Sequence, residues 1–239
     1  MKQDMEAPAF ALQAEPSREE APVTESRTAH RARVLIADDH TLVAEACKKL
    51  LETEFDVIRI VQDGRELLRA CADLRPDVVV TDIAMHSLNG LDAGERAKLS
   101  DPDLRVVYLT MLPDPDLAAE ALRRGASAYL LKTSAASELV TAVREVLSGR
   151  LYISPEITHD ALSDFLRSHR REPHKTLTPR QREVLQLLAE GRSMKEAASI
   201  LNLTTRTIAF HKYRIMAALG LHTNADLVQY AIRHFIVAA

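Results

Sequence analysis

The stretch Val78-Val79-Val80-Thr81-Asp82-Ile83-Ala84-Met85 decides the fold. Three consecutive valines leave no polar face, so the run predicts a central strand buried on both sides, with Asp82 at its carboxyl end. In an open parallel α/β sheet the ligand crevice lies outside the carboxyl ends of the strands. An acid in that place reads as a site residue.

Three further runs stop in the same way. Arg33-Val34-Leu35-Ile36-Ala37 meets Asp38-Asp39, Arg105-Val106-Val107-Tyr108-Leu109 meets Thr110, and Ala128-Tyr129-Leu130-Leu131 meets Lys132. As parallel neighbours these strands would gather three carboxylates, a hydroxyl and an ammonium on one edge. Crowded carboxylates raise one another's pKa unless a cation joins them, and Mg²⁺, a hard ion that prefers oxygen, is the natural choice. Thr110 and Lys132 then remain to hold an anion, and Asp82 to act as a nucleophile in phosphoryl transfer.

Around these runs, strands alternate with amphipathic segments of helical length as far as residue 149, the pattern of a doubly wound, five-stranded parallel sheet. The first helix is expected over Thr41 to Leu51, with Leu42, Val43, Ala46, Leu50 and Leu51 on its buried side, and a strand over Phe55 to Val61 follows. Residues 1–32 read as a disordered lead: Met1 to Thr28 is rich in Pro, Glu, Ser and Ala and has no apolar signal core. Residues 150–176 read as a linker, with one short helix at Pro155 to Leu166 and then the basic run Ser168 to Lys175. No run approaches the roughly 18 apolar residues of a membrane helix. Cys47 and Cys71 fall on apolar helix faces and are expected as small core residues, in keeping with a reducing cytoplasm.

From Leu177 to Ala239 the pattern is all helical. Thr178-Pro179 opens a helix with Val184, Leu185, Leu187 and Leu188 inside, and Gly191 ends it. Ser193 caps a second helix that stops at Asn202, Thr204 or Thr205 caps a third reaching Leu219, and Thr223 caps a fourth. Two short helices joined tightly and followed by a longer one have helix-turn-helix spacing. Charge divides along the same line. Residues 1–166 carry 19 basic and 29 acidic side chains, a net of −10, whereas residues 167–239 carry 12 and 5, a net of +7. An acidic front and a basic rear call for different partners, and a polyanion suits the rear.

At 100° per residue, Ile208, Ile215 and Leu219 of the third helix share a narrow core stripe. Opposite lie Arg206, Phe210, Tyr213 and Ala217, flanked by Thr207, Ala209 and Arg214. Two aromatic rings and two arginines on an outward face suit a major groove, where arginine meets phosphate or guanine and an apolar ring meets a thymine methyl. The N–H groups at Thr204 and Thr205 offer a further phosphate site, and Lys195, His211 and Lys212 complete the expected DNA contacts.

With both constellations in view, the chain resembles a two-component response regulator of the NarL/FixJ class, with a LuxR-type helix-turn-helix. The receiver resemblance, over residues 33–149, rests on Ala37-Asp38-Asp39-His40, Thr81-Asp82-Ile83-Ala84-Met85, Leu109-Thr110-Met111 and Gly125 to Lys132. The DNA-binding resemblance, over residues 177–236 of a domain expected at 177–239, rests on Leu177 to Leu185 and Thr207 to Ile215. It implies that Asp82 accepts a phosphoryl group from a sensor histidine kinase and that Asp38, Asp39, Asp82 and the Ala84 carbonyl hold Mg²⁺. Lys132 would pair with the phosphoryl oxygens, Thr110 would be drawn to them, and Tyr129 would turn inward behind Thr110. The resemblance further implies a cytoplasmic transcription factor that dimerises through its last helix on paired half-sites of double-stranded DNA, with RNA polymerase as a further candidate partner.

Two departures stand out. His86 occupies the place where this class commonly has proline, and Thr133 follows Lys132 where other receivers often carry a cis proline. Neither removes a ligand. Two other function classes compete with this reading. A phosphohydrolase of the haloacid dehalogenase kind would need an acid two residues after its nucleophile, and Ala84 stands there. A phosphorylation-independent DNA-binding regulator would use the receiver only as a dimerisation scaffold and predicts a lost pocket residue.

Overall fold

A computed structural model describes residues 31–157 and 177–237. All but two residues of the expected lead, and most of the expected linker, lie outside the described residues; of its short helix only residues 155–157 are described, and they are helical. Strands β1 (Arg33–Ala37), β2 (Asp56–Val61), β3 (Val78–Asp82), β4 (Arg105–Thr110) and β5 (Ala128–Leu131) alternate with helices α1 (Thr41–Leu51), α2 (Gly64–Leu74), α3 (Gly90–Ser100), α4 (Pro115–Arg123) and α5 (Ala135–Leu147). A sixth strand, β6 (Tyr152–Ile153), adds an edge that the sequence reading did not contain. Two residues are too few to show a period.

The sheet order is β2-β1-β3-β4-β5-β6, and every pair is parallel. Chain direction across the sheet therefore reverses between β1 and β3, which opens a crevice at their carboxyl ends. The register sets these ends level: Ala37 pairs with Thr81, Asp82 with Leu109, and Thr110 with Leu131. Alternate strand residues feed two cores. Leu35, Val79, Tyr108 and Tyr129 pack with α2, α3 and α4, whereas Ile36, Val80, Val107 and Leu130 pack with α1 and α5.

Helix α1 is rotated from its expected setting. Ala44, Cys47 and Leu51 are its buried residues, Leu42 is 84% exposed and Ala46 is exposed too. Two apolar stripes overlap in this helix, and the sheet selects the one carrying the smaller side chains. Cys47 and Cys71 are free, and burial pushes their thiols up to about 11 and about 12, so neither is an active nucleophile at neutral pH.

The rear forms a separate helical core from α6 (Pro179–Ala189), α7 (Met194–Leu201), α8 (Thr205–Leu219) and α9 (Asn224–Arg233), centred on Val184, Leu187, Leu201, Ile208, Ile215 and Leu227. Side chains cap each start: Thr178, Ser193 and Thr223 form reciprocal capping boxes, and Thr204 accepts from the Thr207 N–H. Asn202, with φ +52°, ends α7 in the left-handed region and makes the tight turn into α8.

Candidate acidic pocket and nucleic-acid interface

Each acid of the pocket is delivered by a strand end. Asp38 follows β1 and is 1% exposed, and Asp82 closes β3 at 3% exposed. Lys132, directly after β5, reaches across β4 to Asp82 and past β3 to Asp38: its Nζ lies 2.7 Å from Asp38 Oδ2 and 2.9 Å from Asp82 Oδ2. The Ala84 N–H donates to Asp82 Oδ1 at 3.2 Å. Burial drives the Asp82 pKa up, and the Asp38 charge adds to this, outweighing the opposing Lys132 ammonium. For Lys132 burial works against the charge, but hydrogen bonding to Asp38 and the charge of Asp82 outweigh it and raise its pKa.

Asp39 is flanked by two imidazoles. His40 Nδ1 stands 2.9 Å from Asp39 Oδ1, and His86 Nδ1 stands 2.6 Å from Asp39 Oδ2. The His40 N–H also donates to Asp38 Oδ1 at 2.8 Å. One ligand atom each from Asp38, Asp39, His40 and Asp82 falls within 4.8 Å of the others, and three of the four are carboxylate oxygens. That donor set fits a small hard divalent cation. Sequence reasoning gave His40 no part in the pocket; its position directly after the acid pair was the available signal.

Thr110 and Tyr129 lie beyond the acids. Thr110 is buried at the end of β4, its Oγ1 accepting from the Leu112 N–H at 3.1 Å and its carbonyl accepting from the Lys132 N–H at 2.7 Å. Tyr129 is fully buried, with its hydroxyl 3.5 Å from the Leu112 carbonyl, and burial raises its pKa. The ring is therefore already inward in this structure, rather than waiting outside to turn.

Glycine makes the pocket floor. A Cβ on Gly90 would lie 1.8 Å from the Asp82 carbonyl oxygen, so only glycine lets α3 begin directly under the end of β3, where its N–H donates to the Ile83 carbonyl at 2.9 Å.

On α8, Ile208 and Ile215 are buried, while Thr204, Thr205, Arg206, Phe210, Tyr213 and Arg214 are exposed and Thr207, Ala209, His211 and Lys212 are half-buried. Phe210 is 55% and Tyr213 66% exposed, and the Arg214 guanidinium carbon lies 5.5 Å from the Phe210 ring centre. Lys195 is exposed on α7. What sequence reasoning missed is the opposite side of this half. Glu183 and Gln186 of α6 are buried beside Val184, Leu185 and Leu187, and neither was among the residues expected inside.

Comparison with known proteins agrees with both halves. The response regulator receiver domain model matches residues 34–144, and that of the luxR family of bacterial regulatory proteins matches residues 175–231. Response regulator UvrY of Escherichia coli K12 is 31% identical over 205 residues, 84% of this chain and 94% of the relative. Oxygen regulatory protein NreC of Staphylococcus epidermidis is 32% identical over 211 residues, 84% of this chain and 97% of the relative. Among solved structures, RcsB of Salmonella enterica serovar Typhimurium, bound to a promoter in the presence of a phosphomimetic, is similar with a TM-score of 0.53 and 27% identity, over 84% of this chain and 97% of that one. With a receiver match in front, a luxR-family match behind and relatives spanning both, the chain belongs to the two-component response regulators of the NarL/FixJ, LuxR-type family.

Proposed function

We propose that Asp82 is the phosphoacceptor of a cytoplasmic transcription factor, taking its phosphoryl group from a sensor histidine kinase and switching DNA binding. The observation that carries this reading is the Lys132 ammonium bridging Asp82 and Asp38 from a strand two places along the sheet from the one and three from the other. A carboxylate oxygen of Asp82 attacks phosphorus, the bond from phosphorus to the donor imidazole nitrogen breaks, and an acyl phosphate remains on Asp82. Asp38, Asp39, Asp82 and the Ala84 carbonyl would hold Mg²⁺, which when bound neutralises charge on the transferring group. Lys132 supplies a fixed positive charge for the phosphoryl oxygens, Thr110 a hydroxyl for one of them, and Tyr129 fills the space behind Thr110. The residues after Asp82 offer no acid for rapid turnover, so the reaction is a stoichiometric modification and not an enzyme cycle.

In the same reading residues 33–149 form the receiver and residues 177–239 the DNA-binding module. Ala209, Phe210 and Tyr213 face the bases of double-stranded DNA, and Lys195, Thr204, Thr205, Arg206, Thr207, His211, Lys212 and Arg214 face the backbone or groove edges. Promoter binding by RcsB, a relative spanning both halves, supports this use. The active form is a homodimer on paired half-sites, positioned to meet RNA polymerase. No helix among the described residues is long and apolar enough to cross a membrane. Incubation with Mg²⁺ and acetyl phosphate should add one phosphate to the intact mass of the wild type and none to Asp82→Asn; equal masses for both would remove the reading.

A further inference from the structure

The strand end that carries Lys132 is held by a residue beyond the receiver match, which stops at residue 144. Ser154, 0% exposed, directly follows β6, inside the stretch 150–176 that the sequence reads as a linker. Its N–H donates to the Tyr129 carbonyl at 3.0 Å, a main-chain rung between β6 and β5. In a continuing parallel ladder the Leu131 N–H would meet the Ser154 carbonyl next. That carbonyl instead accepts from the Ile157 N–H at 3.1 Å, because the chain turns helical at Pro155. Ser154 Oγ takes its place and accepts from the Leu131 N–H at 3.2 Å.

The hydroxyl is itself aimed. It donates to Glu138 Oε2, 2.7 Å away in the first turn of α5, and so turns a lone pair toward Leu131. Ser134 Oγ stands 3.3 Å from the same oxygen, and the Ser134 hydroxyl and N–H both donate to the Leu131 carbonyl, at 3.2 and 3.1 Å. The strap that delivers Ser154 is anchored on both sides of the sheet: Ile153 and Ile157 pack in the core beside α2, α3 and α4, and Tyr152 in the core beside α1 and α5. Both main-chain polar groups of Leu131 are therefore bound, and the next residue is Lys132. Without Ser154 Oγ the Leu131 N–H would lose its acceptor in a buried place, and an unmet buried donor is costly enough to shift the strand end. Such a shift moves the Lys132 ammonium directly.

We propose that Ser154, aimed by Glu138, is a positioning residue for phosphoryl transfer to Asp82, acting through the main chain of Leu131 on Lys132. The proposal rests on the reading of Asp82 as phosphoacceptor. The receiver's chemistry then depends on a side chain from the segment leading to the DNA-binding half. Displacing Lys132 slows transfer, because a charge acts on the phosphoryl oxygens only where it is accurately held. Metal binding, which rests on the carboxylates, is left in place.

The test uses the full chain with Mg²⁺ and acetyl phosphate, following phosphate uptake by intact mass and Mg²⁺ binding by calorimetry. Ser154→Ala and Glu138→Ala should each take up phosphate about fivefold more slowly, the effect of a reacting-site charge held out of place. Both should bind Mg²⁺ as the wild type does. Glu138→Gln keeps an acceptor for the Ser154 hydroxyl and should retain wild-type uptake. A purely structural role would lower stability and leave uptake by the folded protein unchanged. Should Ser154→Ala not fold, the two variants of the half-buried Glu138 carry the test. Unchanged uptake by Ser154→Ala and Glu138→Ala, uptake by Glu138→Gln as slow as by Glu138→Ala, or Mg²⁺ affinity falling in step with uptake would overturn the proposal while leaving Asp82 as acceptor. No uptake by the wild type would overturn both.

Discussion

Lys132 Nζ lies 2.9 Å from Asp82 Oδ2, and this pairing joins β5 to β3 over the end of the strand between them. The ammonium also serves Asp38, so two buried carboxylates depend on one cation. Lys132→Ala should therefore destabilise the fold by about 3 kcal/mol in metal-free buffer, the scale of an uncompensated buried charge. Millimolar Mg²⁺ should restore part of that loss. Urea titrations with and without the ion check it, and an unchanged midpoint in both would contradict the pairing.

Gly90→Ala tests how tightly α3 approaches the acid. With the Asp82 carbonyl oxygen 1.8 Å from the place of a new Cβ, backbone must move, at a cost of about 3 kcal/mol. The variant should also bind Mg²⁺ more weakly, because the displaced segment carries Asp82. A stability within about 0.5 kcal/mol of the wild type would show that the helix start has room to shift.

Acid should loosen the contact between the two halves. Burial alone would raise the Glu183 pKa, but the hydrogen bond and charge of Arg96, with Arg180 and Arg65, hold it below its ordinary value of 4.5. A carboxylate with a depressed folded pKa contributes stability that is present above the unfolded value and lost as pH falls through the folded one. Between pH 7 and 5 this contribution should be constant, and it should fade below about 4.5. Glu183→Gln should lack the fading limb in acid-side thermal melts; an identical acid limb in both proteins would contradict the ion-pair assignment.

Substitutions on the rear should separate into two kinds. Phe210→Ala and Tyr213→Ala should alter sequence preference, whereas Lys195→Ala and Arg206→Ala should weaken all duplexes alike and lower the salt slope by about one each. Binding to a mixed-sequence duplex library at two salt concentrations distinguishes them. Equal effects from all four would undo the assignment of the exposed α8 face.

How far the sequence could be read depends on the range of the interaction behind each feature. The pocket was legible because the acids stand at the ends of two β-branched runs and parallel strands bring such ends level, as the pairing of Asp82 with Leu109 and Thr110 with Leu131 shows. The α8 face was legible because Ile208 and Ile215 repeat at one helical spacing with no competing stripe. Helix α1 was misjudged because Leu42, Val43, Ala44, Ala46 and Cys47 offer two apolar stripes, and only the sheet chooses between them. Gln186 of α6 donates to the Met85 carbonyl and accepts from the Asn89 N–H, a pairing that was invisible for another reason. Its partners lie 101 and 97 residues away, and no local period encodes a buried polar side chain meeting a distant loop.

The central claim is that a phosphoryl group on Asp82 governs what α8 binds. Affinity for fragments of the source genome, measured on the full chain with Mg²⁺ before and after acetyl phosphate treatment, tests it most directly. The wild type should gain about tenfold for a subset of fragments, and Asp82→Asn should show no change. An equal response from both proteins, or none from the wild type once its mass confirms the phosphate, would contradict the account.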